Sequence, residues 1–223
     1  MSGGRQSELF PDTLPDSGSP AMNTFPAHPR EDEEFSKVIF TDIDLSNREF
    51  ARCRFVECSF VDADLSGAQF DSCSFSACNL SNPKIDKARF IDIDFSLCKL
   101  AGLAFYRCSQ GVFDLRFSGC HITSCNFSDA RMKGCGFLDC EIKDSWFQDS
   151  FLVEADFSGA TFIDTLFHGC DLQRASFLGS RGYSIDPRNN KVRKARFSLP
   201  EVLSLLEGFE IVVGEGGPAS GRV

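Results

Sequence analysis

No apolar run in the chain approaches the roughly 20 residues that a membrane-spanning helix needs. The first thirty residues also lack the charged-then-apolar pattern of a secretory signal. These absences lead to the expectation of a cytoplasmic protein. Tyrosine (2) and tryptophan (1) are scarce beside 24 phenylalanines, so the aromatic content has few polar handles and calls for a dry interior. Histidine is rare too: only His28, His121 and His168 occur, and no Ser/His/Asp or Cys/His arrangement forms around them. No glycine-rich phosphate loop follows a strand, and the expectation is a protein that is not an enzyme and needs no cofactor. An excess of base is missing as well. The net charge of -9 disfavours direct binding to nucleic acid or to an anionic membrane.

What is present is a period of five. Residues 1–34, rich in Pro, Ser and acid, carry 7 acids against 2 bases and no hydrophobic period, and read as a mobile tail. From Phe35 an apolar residue stands at every fifth position through Phe105, fifteen in all. The period slips by two residues in "YRCSQGV", near residues 106–111, and resumes at Val112 for fourteen more, ending at Phe177. Neither a helix, with period 3.6, nor a flat strand, with period 2, produces 29 such centres, so internal repetition has to be explained first. At 223 residues the chain has room for one sizeable core.

Two residues before many centres stands a small residue, such as Cys53, Cys58, Ala63, Ala68, Cys73 and Cys78. In locally extended backbone these point to the same side as the centre. Each five-residue unit therefore sends one large and one small side chain inward and leaves three positions, rich in Ser, Asp, Asn, Lys and Gly, facing water. All eleven cysteines fall in the small inward phase. Pairs five apart, such as Cys53/Cys58 and Cys135/Cys140, also miss the usual two-to-four-residue gap of zinc ligands. Buried structural thiols are expected, and no metal.

"ADLSGAQFDSCSF" (Ala63 to Phe75) and "ADFSGATF" (Ala155 to Phe162) resemble the pentapeptide-repeat proteins. That resemblance implies an all-β fold, a right-handed quadrilateral parallel β-helix over 35–182 in which four repeats make one coil, about seven coils in total. Positions twenty apart should then stack. Counting the slip as a bulge that consumes no face, one column reads Phe35, Phe55, Phe75, Phe95, Phe117, Phe137, Phe157, Phe177.

Residues 183–223 read as a C-terminal cap. Ser198 and Glu201 have capping-box spacing, which predicts a short helix near 199–207, followed by an apolar strand-like run from Phe209 to Val213. The segment is similar to the C-terminal helix of the quinolone-resistance (Qnr-type) members of the family. Leu203, Leu206, Phe209 and Ile211 then either join two rods into a homodimer or plug the core of one. The N-terminal repeats carry Val38, Ile43 and Arg48 where a small residue belongs, and no N-terminal cap is evident.

Stacked acids at one corner, Asp42 and Asp44 beside Asp62 and Asp64, with Asp144 and Asp164 further along, could offer charge where a DNA-binding protein expects phosphates. The resemblance to the Qnr-type proteins implies a DNA mimic that binds a type II topoisomerase, DNA gyrase or topoisomerase IV. Lys84, Lys87 and Arg89 interrupt the edge, and the slip is shorter than the projecting loops common in that group. A rigid scaffold for an unrelated protein partner is the alternative.

Overall fold

A computed structural model describes residues 28–109, 111, 113–209 and 211. The chain winds into a parallel β-solenoid of about 8 turns, one more than the sequence count, with one short helix at its C-terminal end. Each turn has four faces, centred on the columns that begin at Phe35, Phe40, Leu45 and Phe50 and called here the first to fourth.

The first face is a six-stranded parallel sheet from Glu34–Ser36 to Gly136–Leu138, with Phe35 over Phe55, Phe55 over Phe75 and Phe95 over Phe117. The second holds five strands, from Asn79–Ser81 to Thr161–Ile163, and the fourth holds four, from Arg30–Glu31 to Arg89–Ile91. The third is ladder-poor: single bridges join Asp44 to Asp64, Asp64 to Lys84, Asn126 to Trp146 and Trp146 to Leu166.

The first face carries the phenylalanine column beyond the predicted eight, to Phe197. Its successive rings lie 4.7 to 5.2 Å apart with planes within 18° of parallel. That separation is the strand spacing, so each ring rests on the next without any change of backbone pitch. Leu100 pairs with Leu80 twenty residues back and with Ile122 twenty-two residues on, and Phe95 with Phe117 and Ala104 with Asn126 do likewise, so the slip leaves the first, second and third faces in phase. It falls between Ser109, which still donates to Ala88 O, and Phe113, which donates to Arg131 O. Phe113 follows a centre and should face out, yet it is buried and meets the Phe105 ring edge-on.

The small inward residue has a bonding role that periodicity does not reveal. Cys58 Sγ donates to Phe35 O, Cys78 to Phe55 O and Cys98 to Phe75 O, at 3.2, 3.3 and 3.3 Å. After the slip, hydroxyls make the equivalent bond, Ser150 to Phe127 O, Thr165 to Ile142 O and Ser180 to Phe157 O, at 2.8, 3.0 and 2.7 Å. The coil's inner carbonyls are thereby given a donor in a dry interior, where an unmet acceptor costs about 1–3 kcal/mol. All eleven cysteines are free and buried. Burial pushes Cys108, Cys125 and Cys135 up to about 12 and Cys170 to about 11, so these thiols stay protonated near neutrality.

Two boundaries differ from the sequence expectation. The solenoid begins at Arg30–Glu31, paired with Phe50 and Ala51, inside the stretch read as tail; residues 1–27 lie outside the described residues. Arg30 takes a centre position below Phe50, is 8% exposed, and pairs with Glu33 at 3.2 Å. Val38 and Ile43 pack against the core. Two of the oversized residues that looked irregular, Val38 and Ile43, therefore belong with Arg30 to the N-terminal plug. At the other end the helix is 3-10 and spans Glu201–Phe209 rather than 199–207. The Ser198 hydroxyl serves no capping box; it accepts the Gly179 N–H at 2.9 Å.

Candidate protein-binding surface

Away from the slip, the corners of the solenoid turn on a residue two places after a centre, and that residue adopts a left-handed conformation; Arg107, in the 3-10 turn Phe105–Arg107, is an exception. Asp42, Asp62, Asp144 and Asp164 occupy such corners between the second and third faces, with φ of 57°, 53°, 48° and 46°. Asp, Asn and Gly tolerate this region best, which explains their frequency at that position. The same corner column runs through Asn82, Gly102 and Ser124 between the two acidic pairs. Four coil steps of ~4.8 Å separate Asp62 from Asp144, about 19 Å. The structure thus places the predicted aspartates in two patches and does not join them into one edge.

Asp44 and Asp64 lie beside this corner on the third face, stacked one coil apart, and both serve the fold. Asp44 Oδ1 accepts the Ser46 N–H at 2.8 Å and Asp64 Oδ1 accepts the Ser66 N–H at 2.9 Å. The Ser46 side chain and N–H hold Asp44 below its ordinary value. At Asp64 burial pushes upward, but the bonds from Ser66 and the charge of Lys84, 3.6 Å away, leave it lowered. Asp42 and Asp62 have no ion pair among the described residues and are both exposed. Asp144 meets Lys143 at 4.0 Å, and Asp164 has no ion pair among the described residues.

Elsewhere, opposite charges one coil apart neutralise each other. Arg52 reaches Glu31 and Asp32 at 3.1 and 2.7 Å, and Arg54 pairs with Glu34. Arg116 gathers Asp92, Asp94 and Asp114 at 2.5, 2.5 and 2.9 Å across the coil that carries the slip. Arg174 pairs with Glu154 at 2.7 Å. These exposed pairs add little stability each, but they reduce the field the rod can project.

The C-terminal residues named from the sequence do not plug the core. Leu205 packs against it instead, while Leu203, Phe209 and Ile211 are exposed and Leu206 is half-buried. Ser204 Oγ donates to Tyr183 O at 3.3 Å, and the Arg188 guanidinium lies 5.4 Å from the Phe209 ring centre. Of the strand-like run, Glu210, Val212 and Val213 lie outside the described residues.

Sequence reasoning passed over a second surface. Trp146, Phe151, Ile163 and Leu166 stand in outward phases and are 39 to 44% exposed, within two successive coils. The signal was available: a large apolar side chain where the repeat expects Ser or Asp. No helix among the described residues is long and apolar enough to cross a membrane, and no group of three or more His, Cys, Asp and Glu there could hold a metal ion.

A regular fivefold solenoid with stacked phenylalanines and small inward partners defines a class of repeat proteins. Family models described as pentapeptide repeat region, over residues 68–147, and pentapeptide repeats, over 39–76 and 140–179, match the chain, which belongs to the pentapeptide-repeat family. Among solved structures it is similar to two trypsin-treated variants of QnrB1, a plasmid-mediated fluoroquinolone resistance protein. Both are 19% identical; one covers 86% of this chain and 96% of its own at a TM-score of 0.49, the other 84% and 98% at 0.48. It is also similar to HetL, a pentapeptide-repeat protein involved in heterocyst differentiation regulation in the cyanobacterium Nostoc sp. strain PCC 7120. That likeness has 13% identity, 78% and 85% coverage, and a TM-score of 0.27. Compared with curated proteins, the sequence matches none.

Proposed function

We infer that this protein is a non-enzymatic binding module: a stiff rod whose interior is committed to the fold and whose outward side chains engage a protein partner. The candidate partner is a type II topoisomerase, DNA gyrase or topoisomerase IV, met by mimicry of DNA. The observation that carries this reading is the pair Asp42 and Asp62, one coil apart on an accessible corner without ion pairs among the described residues. Mimicry on this basis is local, confined to one acidic patch near the N-terminal end and a second around Asp144 and Asp164. A DNA mimic competes with duplex DNA and weakens steeply with salt. Asp42→Asn/Asp62→Asn should therefore lose at least tenfold in competition for gyrase, with the fold unchanged. Supercoiling by gyrase and its inhibition by a fluoroquinolone, both unaltered by excess protein, would remove topoisomerase from the reading.

The neutral corner residues Asn82, Gly102 and Ser124 favour a second reading, a scaffold for an unrelated protein in which charge is secondary. For the C-terminal end we infer an end-to-end homodimer through Leu203, Phe209 and Ile211. Leu203→Asp should then halve the mass in solution.

A further inference from the structure

On the third face, beyond the slip, Trp146 and Leu166 are bridge partners on adjacent coils, about 4.8 Å apart. Trp146 is the only tryptophan in the chain and is 43% exposed. Around one corner stands Ile163, and around the other stands Phe151, both exposed. An apolar belt therefore wraps two coils of a rod whose corresponding positions in earlier coils are Asp44, Asp64 and Lys84.

The belt has an acidic frame. Asp144 and Asp164 turn the corner on one side of Trp146, and Asp129 and Asp149 turn the corner on the other. Asp164, Asp129 and Asp149 form no ion pair among the described residues; Asp149 accepts only the neutral Gln148 amide, at 3.2 Å. The bases nearby are Lys143, which meets Asp144 at 4.0 Å, Lys133, which meets Glu154 at 3.6 Å, and Arg131 on the fourth face. Exposed aromatic and aliphatic side chains rimmed by charge mark interaction sites rather than inert surface. Nucleic acid and anionic lipid are repelled by this frame. A second copy would set one aspartate frame against another. We propose that the Trp146–Leu166 belt docks a protein segment that presents arginine or lysine beside an aliphatic or aromatic side chain. The aspartates select the basic groups and the belt buries the apolar one.

This rests on the protein-binding reading but not on topoisomerase, so its test uses no topoisomerase. Trp146 is its own reporter. The full chain is titrated with a tryptophan-free amphipathic peptide of leucine and lysine, and with the same peptide carrying glutamate for lysine. The basic peptide should shift Trp146 emission to the blue and bind at least tenfold more tightly than the acidic one. Leu166→Asp adds negative charge yet should weaken the basic peptide tenfold or more, whereas Leu97→Asp, on an exposed corner between the first and second faces two coils before Trp146, should not weaken it. Asp144→Asn/Asp164→Asn should weaken it several-fold and flatten its salt dependence. Equal binding of both peptides, or full binding by Leu166→Asp, overturns the proposal. So does a dimer in solution that Leu166→Asp converts to monomer, because the belt would then belong to a second copy. If the peptide binds while gyrase competition fails, only the topoisomerase reading is lost.

Discussion

On the third face, the coils near the N-terminus carry Asp44, Asp64 and Lys84, while the coils beyond the slip carry Trp146 and Leu166 at the same register. Behind these two exteriors lies one interior. Leu45, Leu65 and Ile85 become Phe105, Phe127, Phe147 and Phe167, all buried, and the coil pitch does not change. The thiols that serve the inner carbonyls early in the rod are joined by hydroxyls later, with the same bonds to the coil before. The contrast shows that the repeat constrains what points inward and the backbone of its left-handed corners. The remaining outward positions of successive coils are free to diverge, and that is where a partner must be read.

The strongest way to break this comparison is to charge the interior in both halves. Phe75→Asp and Phe157→Asp each remove a ring worth about 3–5 kcal/mol and bury an unpaired carboxylate, so both should abolish cooperative unfolding in a thermal melt. Ser76→Asp, on the outward side of the same strand, should shift the midpoint by little. Unequal damage from the two phenylalanines would show that the halves do not share one core.

A smaller effect separates two corners. Gly134 and Gly159 have φ of 72° and 74°, but a Cβ at Gly134 meets nothing within 4 Å, whereas one at Gly159 collides with Asp139 Oδ1 in the coil before. Gly134→Ala should cost about 1–2 kcal/mol for its left-handed backbone, and Gly159→Ala measurably more. Denaturant midpoints compare the two directly.

The smallest effects concern the charge ladders. Arg116→Ala, which frees three carboxylates, should destabilise by less than about 1 kcal/mol, and Arg174→Ala by less again. The Arg116 hydrogen bond, with help from Ser72, holds Asp92 below its ordinary 3.8. Its contribution is therefore complete above pH 3.8 and is lost as pH falls through the lowered folded value. Melts of wild type and Arg116→Ala should differ at neutral pH and converge in strong acid.

Much of this architecture was legible because the period of five leaves its mark on every coil. Phe35 to Phe177, the eleven cysteines and the harmless slip could all be read from spacing alone. Val38 and Ile43 in the plug were visible only as irregularity, and Arg30 was read as tail, since a cap is defined by the open end it covers. The acidic residues were legible as a set of positions and not as a surface. Asp44 and Asp64 bind the N–H two residues on, and Arg52 and Arg116 find their acids about one coil away in sequence and next door in space.

The sequence by itself determined the period of five and the inward phase of every cysteine, because large and small apolar residues two apart in extended backbone face the same side; the four columns followed from the resemblance to the pentapeptide-repeat proteins. Only the tertiary structure decided which charges cancel, where the acidic corner breaks at Asn82, and that Trp146 lies against Leu166 between two pairs of aspartates. Those facts depend on residues about twenty apart becoming neighbours, and burial and Coulomb interaction act through space rather than along the chain.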